Sequence, residues 1–349
     1  MKKKIDIRQL SLEQLTDVIV KLGEKPYRAK QVHQWLWKKR AIDFDQMTNL
    51  SKSFRKLIEN NFIINALVLS EAQISSDKTI KNAFLLADNS VIEGVLIPTK
   101  KRMTACVSVQ VGCSLDCAFC ATGKLKRVRN LNADEIYDQV VMINDQSQKE
   151  YSIPISNIVY MGMGEPLLNY KNVLLSVDRI TSEDGLGMSA KRITISTAGI
   201  HKKIIRLADD KVKFNLALSL HAANDEKRNK IMPINVSNSL NSLKEAMIYF
   251  SEMTGTRPTL EYIIFKDFND EITDAEELVQ FAKSFPSKIN IIEYNSIDEG
   301  KYQQATVKKV DAFASYLESK NLIVNIRRSR GKDIDAACGQ LANKNELAR

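Results

Sequence analysis

The chain has 349 residues, of which 44% are hydrophobic and 27% are charged, and its formal net charge is +9. This is the composition of an ordinary globular protein. It contains no apolar run near the roughly 18 residues needed to span a bilayer, and residues 1–15 lack the apolar core of a secretory signal. Five cysteines, clustered and odd in number, favour an intracellular metal or redox role over a secreted disulfide framework. We therefore expect a cytoplasmic protein.

The N-terminal segment is predicted to be helical and is strongly basic. Residues 1–62 carry 14 Lys and Arg against 7 Asp and Glu, an excess of seven positive charges. Such a concentration is typical of proteins that bind a polyanion, most often nucleic acid, although a solvated basic face is an equally open interpretation. A first helix is predicted from an N-cap at Ser11 to a stop at Gly23. The next helix carries Trp35 and Trp37, which either stack on bases or, the interpretation we favour, fill a small core.

The rest of the chain is predicted to be an α/β domain preceded by a linking β segment. Residues 67–103 alternate like strands, and we expect a small sheet there. From about residue 104, short apolar runs alternate with amphipathic segments, which indicates repeated βα units and a parallel sheet with helices outside. Six units are too few for the eight-fold barrel, so we expect an incomplete (β/α)6-type barrel or a strongly curved open sheet, in either case with the active face at the carboxyl ends of the strands. The predicted divisions are 1–66, 67–103 and 104–349. The predicted strands are "ACVSVQV", "NIVYMG", "RITIST", "KFNLALSLH", "TLEYIIF", "KINIIEY" and "LIVNIR".

Three cysteines follow the first of these strands. Cys113, Cys117 and Cys120 are spaced C-x3-C-x2-C, and no histidine lies near them in the sequence. Structural zinc uses four Cys or His ligands, usually in two close pairs, whereas three thiolates around a four-iron cluster leave one iron free for another ligand. Zinc or inert cysteines remain the alternative interpretation. The spacing resembles that of the radical S-adenosylmethionine (SAM) superfamily, and this resemblance implies a [4Fe-4S] cluster whose open iron binds the amino and carboxylate groups of SAM.

A second signal is "MGMGEPL", residues 161–167, directly after a predicted strand. Its glycines allow the backbone to approach a ligand closely, and Glu165 is able to accept hydrogen bonds from an ammonium group. Alone the motif is weak, because Gly and Pro also mark any strand-to-helix turn. In the context of the superfamily, it indicates the site of the SAM amine.

Two cysteines, Cys106 and Cys338, remain outside the loop. Both are open to the interpretation that they are small buried hydrophobic residues. Cys338 is followed by Gly339, and it is preceded by arginines suited to phosphate contacts near a reactive thiol. These arginines are Arg327, Arg328 and Arg330.

The motifs "CVSVQVGCSLDCAFCATG", "MGMGEPL", "SLHAANDEKR", "IMPIN" and "DIDAACGQL" resemble, in order and spacing, the RlmN branch of the RlmN/Cfr family of radical SAM RNA methyltransferases. The resemblance covers essentially the whole chain. It implies methylation of C2 of an adenosine at the peptidyl-transferase centre of 23S rRNA and, in some members, of the adenosine beside the anticodon of a tRNA.

The family scheme assigns a role to each remaining cysteine. One SAM methylates Cys338, and a second is cleaved reductively at the cluster. The resulting adenosyl radical takes a hydrogen from the S-methyl group, and the methylene radical adds to the electron-poor ring carbon. Glu93, in "VIEGVLIP", occupies the position of the base that removes the ring proton; without the family we would interpret it as an exposed strand glutamate. Cys106 then forms a disulfide with Cys338 and releases the RNA, and a reductant reopens that bond.

The same resemblance implies two SAM molecules per turnover, an electron donor such as flavodoxin or ferredoxin, a monomer and no membrane partner. Base flipping and phosphate contacts by the basic module and the C-terminal arginines would bring the RNA to the site. The implied SAM contacts are Gly164, Glu165, Ser196, Ser219, Leu220, His221 and Asn295.

Three alternatives stay open at this point. The sister branch of the family methylates C8 of the same adenosine, and Pro166 favours the C2 branch only modestly. A non-catalytic RNA-binding protein with a structural metal would be colourless and would contain zinc. An enzyme that abstracts hydrogen from a protein glycine would leave Cys338 without a role.

Overall fold

The N-terminal module is helical, as predicted. A computed structural model describes residues 4–100, 102–298 and 300–344. The predicted start of the first helix at Ser11 is confirmed, since its side chain and that of Gln14 form a capping box, and Gly23 follows the helix end with φ +85°. The short β1 and β2 pair in parallel. The elements of the module are β1 (Ile5–Asp6), α1 (Leu12–Lys21), α2 (Tyr27–Trp37), α3 (Lys52–Asn61) and β2 (Phe62–Ile63).

The two tryptophans of α2 have different environments. Trp37 is only 2% exposed, and its ring packs edge-on against Tyr137 with the centroids 5.5 Å apart. Trp35 is half-buried: its indole donates a hydrogen bond to Asn49, and the Lys39 ammonium lies 3.8 Å from its ring centroid. The interpretation of a core residue therefore holds for Trp37, while Trp35 stays at the surface.

The remainder of the described chain is built on one large sheet with helices outside. Its strands are β3 (Val68–Ile74), β4 (Ile80–Leu85), β5 (Val91–Pro98), β6 (Met103–Cys106), β9 (Asn157–Tyr160), β10 (Ile193–Thr197), β11 (Asn215–Ser219), β12 (Thr259–Ile264), β13 (Lys288–Glu293) and β14 (Val324–Arg327), with a separate pair β7 (Gln110–Val111) and β8 (Arg129–Asn130). The helices are α4 (Ala121–Lys124), α5 (Ala133–Tyr151), α6 (Tyr170–Thr181), α7 (His201–Asp209), α8 (Asp225–Ile231), α9 (Leu240–Thr254), α10 (Ile272–Ala282) and α11 (Val307–Ser319).

The order of the sheet is β14-β13-β12-β11-β10-β9-β6-β5-β4-β3. From β6 to β14 every neighbouring pair is parallel, and each connection carries a helix. The predicted α/β architecture of the incomplete-barrel type is confirmed. Its core consists of apolar strand residues that are fully buried, such as Ile195, Leu216, Leu260 and Ile291, beneath the apolar faces of the helices.

The segment expected to form a small linking sheet instead extends the main sheet. β5 pairs antiparallel with β6, and β4 and β3 follow by further antiparallel pairing. The reason is that β6 pairs with β9 on one side only, and the backbone groups on its other side find hydrogen-bond partners in β5. β14 and β3 therefore lie at opposite ends of the strand order. The loop after β14 bridges this gap, because Asp333 accepts hydrogen bonds from Ser75 Oγ and Ser76 N.

The predicted strand "ACVSVQV" is broken in the structure. After Cys106 the backbone leaves the sheet: Val109 N donates to Met163 O at 2.9 Å, and Ser108 N donates to the Gln139 side chain at 2.9 Å. The chain then pairs as β7 with β8. This departure carries the following cysteine loop over the carboxyl end of the sheet.

A buried arginine joins the N-terminal module to α5. Arg8, 7% exposed, lies 2.7 Å from Asp138, 3.3 Å from Asp134 and 3.5 Å from Asp6, and donates to Asn65 O. We call Arg8 and these three aspartates the Arg8 cluster. Burial raises the pKa of Asp134 to about 7, with Arg8 opposing the shift. The basic module is thus anchored to α5 of the α/β part by this cluster.

Among the described residues, we find no helix that combines the length and the apolar character required to cross a membrane.

Candidate functional site

A cleft opens at the carboxyl ends of the parallel strands, where the topology predicts chemistry. It holds about 860 Å³ of empty space, a figure that includes its open mouth. Nine of the residues singled out from the sequence line it: Cys113, Cys117, Cys120, Gly164, Glu165, Ser196, Ser219, His221 and Cys338.

The cysteine loop is fixed from three sides. Cys113 N donates to Leu125 O at 3.2 Å, Ala118 N donates to Ile231 O at 2.9 Å, and Ala121 N donates to Gly339 O at 2.7 Å. The loop is therefore held by Leu125 just after α4, by the end of α8 and by the C-terminal segment.

The three thiols of the loop are protonated in the free protein at neutral pH. Burial raises the pKa of Cys113 to about 11 and raises those of Cys117 and Cys120 as well. A group that binds them as thiolates must displace these protons, so its binding is coupled to proton release.

The donor set does not suit a single metal ion. In the part of the chain that the structure describes, no three His, Cys, Asp or Glu side chains converge closely enough to coordinate one ion. Three thiols that share a cleft wall without meeting at a point fit a polynuclear cluster, whose irons are ligated separately.

The "MGMGEPL" turn forms a second wall. Glu165 is 3% exposed, and its carboxylate accepts hydrogen bonds from Leu167 N at 2.9 Å and Ala198 N at 2.7 Å, one to each oxygen. Each oxygen keeps a lone pair for a further donor. Burial raises the pKa of Glu165, so a cationic partner in the cleft would stabilise its ionised form. Gly164 has φ +95°, and a Cβ there would lie 2.5 Å from Gln110 Cβ, so this turn requires glycine.

Ser196, Ser219 and His221 lie at or just beyond the ends of β10 and β11. The two serine hydroxyls are 3.3 Å apart. His221 Nδ1 accepts a hydrogen bond from Ile263 N at 3.1 Å, so the neutral ring carries its proton on Nε2. Burial, with the nearby Arg228, lowers the pKa of His221 to about 3. His221 is therefore a neutral group at physiological pH.

Leu220 and Asn295 do not line the cleft. The Leu220 side chain is buried in the core, and its carbonyl accepts from Arg228 Nε at 3.0 Å. Asn295 donates to Cys338 O at 3.2 Å, while its own Oδ1 is buried with no hydrogen-bond partner among the described residues. Asn295 thus holds the backbone of Cys338 and presents a free acceptor beside it.

The two outlying cysteines come together in the fold. Cys338 is exposed and lines the cleft, whereas Cys106 is buried at the end of β6 and does not line it. Burial, followed by the neighbouring Cys338, raises the pKa of Cys106 to about 12, with Arg327 opposing. Both are free thiols in this structure.

We define residues 338–343 as the C-terminal strap. Thr122 Oγ1 donates to Leu341 O at 2.6 Å, and Gln340 Nε2 donates to Ser296 O at 3.0 Å. Together with the bond from Ala121 to Gly339, these contacts dock the strap on the cysteine loop.

The far end of the strap covers Glu93, which lies on β5 outside the cleft lining. The interpretation of Glu93 as an exposed strand residue is wrong: the residue is 1% exposed, because the strap packs over it. Its Oε2 accepts from Ala342 N at 2.8 Å and Asn343 N at 3.1 Å, and Lys81 Nζ lies 3.7 Å from Oε1.

The arginines before the strap all have acidic partners. Arg327 lines the cleft and lies 3.2 Å from Glu261; Arg328 lies 2.6 Å from Glu293, and Arg330 lies 3.5 Å from Asp77. The sequence interpretation missed Glu261, although a single acid within the apolar strand "TLEYIIF" was a usable signal. Phosphate contacts by these arginines would have to compete with their carboxylate partners.

Comparisons with known proteins agree with this geometry. Residues 5–64 match the family described as the ribosomal RNA large subunit methyltransferase N-terminal domain, and residues 107–282 match the radical SAM superfamily. A radical SAM methyltransferase from Sphaerobacter thermophilus has a crystal structure that superposes with a TM-score of 0.90 at 36% identity, covering 97% of this chain and 99% of that one. Fold and cleft thus define a radical SAM enzyme, a class that uses a [4Fe-4S] cluster and SAM.

Proteins of similar sequence identify the family within this class of enzymes. A protein of Cytophaga hutchinsonii described as a "probable dual-specificity RNA methyltransferase RlmN" is 59% identical over 98% of this chain and 94% of its own length. One of the same description from Flavobacterium johnsoniae is 53% identical over 98% of both chains. The chain belongs to the RlmN family of radical SAM RNA methyltransferases, and its substrate is RNA.

Proposed function

We propose that this enzyme methylates C2 of a specific adenosine at the peptidyl-transferase centre of 23S rRNA, and also the adenosine beside the anticodon in some tRNAs. The observation that supports this most directly is the exposed thiol of Cys338 in the cleft lined by the three loop cysteines. Adenine C2 lies between two ring nitrogens and has no lone pair with which to attack a sulfonium methyl group. A methyl carrier inside the radical site avoids that difficulty.

In this proposal Cys338 Sγ takes the methyl group of one SAM by displacement, which forms an S–C bond and releases S-adenosylhomocysteine. Cys113, Cys117 and Cys120 would hold the cluster, which when bound would supply the electron that cleaves a second SAM and would take one electron back once the carbon–carbon bond has formed. One hydrogen atom then passes from the S-methyl group of Cys338 to the 5′-deoxyadenosyl radical, which becomes 5′-deoxyadenosine, and the remaining methylene carbon bonds to C2. This consumes two SAM molecules per turnover.

Glu93 is the proposed acceptor of the C2 proton. What supports this proposal is the family resemblance, together with the strap that carries Cys338 and bonds to Glu93 at its other end. Its Oε2 is held by Ala342 N and Asn343 N, so we propose that the end of the strap lifts before the base reaches it.

Cys106 is proposed to resolve the adduct. Its thiolate attacks Sγ of Cys338, an S–S bond forms, and the C–S bond to RNA breaks with its electron pair on the transferred carbon. That carbon takes up a proton and becomes the methyl group, and an external thiol reductant reopens the disulfide. Both thiols are free, and Cys338 is near enough to Cys106 to raise its pKa, which supports this exchange.

We further propose that the SAM contacts are Gly164, Glu165, Ser196, Ser219, Leu220, His221 and Asn295, with Leu220 contributing through its backbone. The proposed division is an RNA-binding module at 1–66, a linking β segment at 67–103 and a catalytic domain at 104–349, in a cytoplasmic monomer reduced by flavodoxin or ferredoxin. The excess positive charge of residues 1–62 supports the RNA-binding role.

Incubation of the anaerobically reconstituted enzyme with SAM, a reductant and a 23S rRNA fragment tests the proposal, followed by mass analysis of nucleosides. We expect 2-methyladenosine. Exclusive 8-methyladenosine would assign the enzyme to the sister chemistry, and a colourless zinc protein that yields no 5′-deoxyadenosine would overturn the enzyme mechanism altogether.

Two cysteine variants test the carrier scheme separately. Cys106→Ala is expected to accumulate covalently linked to RNA, because the adduct forms but cannot resolve. Cys338→Ala is expected to form no adduct. Normal turnover by Cys106→Ala would exclude the disulfide step, and full activity of Cys338→Ala would favour a reaction without a methyl carrier.

A further inference from the structure

A fully buried arginine lies behind the cysteine loop and is not part of the cleft wall. Arg228, on α8, is 0% exposed. Its guanidinium donates to four neutral oxygens: Nε to Leu220 O at 3.0 Å, Nη1 to Asn235 Oδ1 at 2.6 Å, and Nη2 to Ala198 O at 2.6 Å and Ser219 O at 3.1 Å. The guanidinium therefore has hydrogen-bond acceptors, but none of them carries a negative charge.

No carboxylate among the described residues forms an ion pair with Arg228. Asp225, one turn earlier on α8, is exposed and reaches Arg228 only through Asn235, whose Nδ2 donates to Asp225 Oδ1 at 2.7 Å. Removing a charge from water without an opposite partner costs several kcal/mol. Burial lowers the pKa of Arg228 only to about 10, so the guanidinium stays charged at neutral pH. An anion nearby would therefore lower the cost of burying this charge.

The nearest candidate is the three-thiol site. The end of α8 is bonded to the loop, since Ala118 N donates to Ile231 O at 2.9 Å, and Cys117 packs in the same apolar cluster as Ile231. Arg228 Nη2 also donates to Ala198 O and Ser219 O, and both of these residues line the same cleft as the three thiols. A four-iron cluster with three thiolates is anionic, and reduction adds one further negative charge. A fixed cation behind it stabilises the reduced state more than the oxidised state.

We propose that Arg228 is the buried counter-charge of the cluster and raises its reduction potential. Arg228 is thus a positioning residue that acts through Cys117 and its ligated iron, without touching SAM or RNA. This inference rests on the proposed cluster site, and it adds to that site a specific control of electron entry.

The test is a redox titration of the reconstituted full-length protein, followed by electron paramagnetic resonance without SAM or RNA. Arg228→Met removes the charge and keeps an apolar stem. We expect at least a tenfold fall in the ratio of reduced to oxidised cluster at a fixed applied potential, which corresponds to a shift of about 59 mV for one electron. Arg228→Lys, which keeps the charge but loses the fork of hydrogen bonds, is expected to stay near the wild-type potential.

Two further variants complete the design. Asn235→Asp places a carboxylate against Nη1 and neutralises Arg228 without deleting it, so the potential is expected to fall as in Arg228→Met. This variant carries the test if Arg228→Met does not fold or does not bind iron. Lys230→Met removes an exposed charge from the same helix, where Lys230 pairs with Glu226, and solvent screening predicts no shift.

The outcomes separate the two proposals. A wild-type protein that takes up no cluster overturns the proposed function and this inference together. A cluster that binds in all variants with unchanged potential overturns the inference alone and leaves Arg228 a structural support for three carbonyls. An equal fall of the reduction potential in Arg228→Met and Arg228→Lys would likewise contradict a role based on charge.

Discussion

Replacement of Arg8 by Met is expected to destabilise the protein by about 3–5 kcal/mol at pH 8, the usual cost of breaking a buried ion pair by removing one partner. Loss of the guanidinium leaves Asp6, Asp134 and Asp138 around an apolar side chain without their cationic partner. The closest of the three ion pairs that it removes is the one with Asp138, at 2.7 Å. Urea unfolding followed by circular dichroism measures the change. Tryptophan fluorescence reports on the N-terminal module specifically, because both tryptophans lie in α2.

The chain supplies a matched control in Arg40. It also joins the N-terminal module to α5, through a 2.6 Å pair with Asp145, but the two side chains are 36% and 58% exposed. Arg40→Met is therefore expected to cost no more than about 1 kcal/mol. Equal losses for the two variants would refute the argument that burial makes the Arg8 cluster strong.

The loss of unfolding free energy caused by Arg8→Met is also expected to be smaller at lower pH. Burial places the folded-state pKa of Asp134 near 7, above its ordinary value of 3.8. The folded state therefore holds a proton that the unfolded state has released. This contribution to stability is present at low pH and is lost as the pH rises through about 7. Without Arg8 the carboxylates are more easily protonated, so the variant is expected to lose less stability at pH 6 than at pH 8. A defect independent of pH would contradict this assignment.

Three further expectations follow from single sites. Asp134→Asn mimics the protonated acid, and thermal unfolding is expected to find it more stable, relative to wild type, at pH 8 than at pH 5; the reverse order would refute the raised pKa. Gly164→Ala forces a Cβ against Gln110, so melting and SAM-binding assays are expected to find a loss of about 1–3 kcal/mol and weakened binding. Gly187→Ala, at φ +60° but with open space around its Cβ, serves as the control for backbone strain without a steric clash. Glu93→Gln is expected to fold and to acquire the methylated cysteine, with methylated RNA reduced roughly 100-fold or more; unchanged product formation would exclude Glu93 as the base.

The sequence predicted the fold and most of the cleft because both depend on local patterns. Alternating apolar runs and amphipathic segments determine a parallel sheet, and the topology then brings together residues that follow different strands. Glu165, Ser196 and Ser219 line one cleft for this reason. The cysteine spacing was informative because the ligands lie within one loop.

What the sequence did not predict depends on contacts between distant segments. The break after Cys106 arises because the backbone of the following residues bonds to the turn after β9 and to α5. Glu93 alternates in sequence like an exposed residue, yet a strap some 250 residues later covers it. Arg228 occurs in a polar helical stretch, "NDEKRNK", in which nothing distinguishes the one side chain that turns inward.

The C-terminal strap has a consequence for how the chemistry is timed. The sulfur at Cys338 and the hydrogen-bond donors that occupy Glu93 are separated by only a few peptide units, with docked residues between them. In the proposed scheme, displacement of one end of the strap is passed to the other through this short segment, so that the carrier and the base respond to the substrate together. An insertion between Gly339 and Ala342 would uncouple them while leaving every reactive atom in the protein.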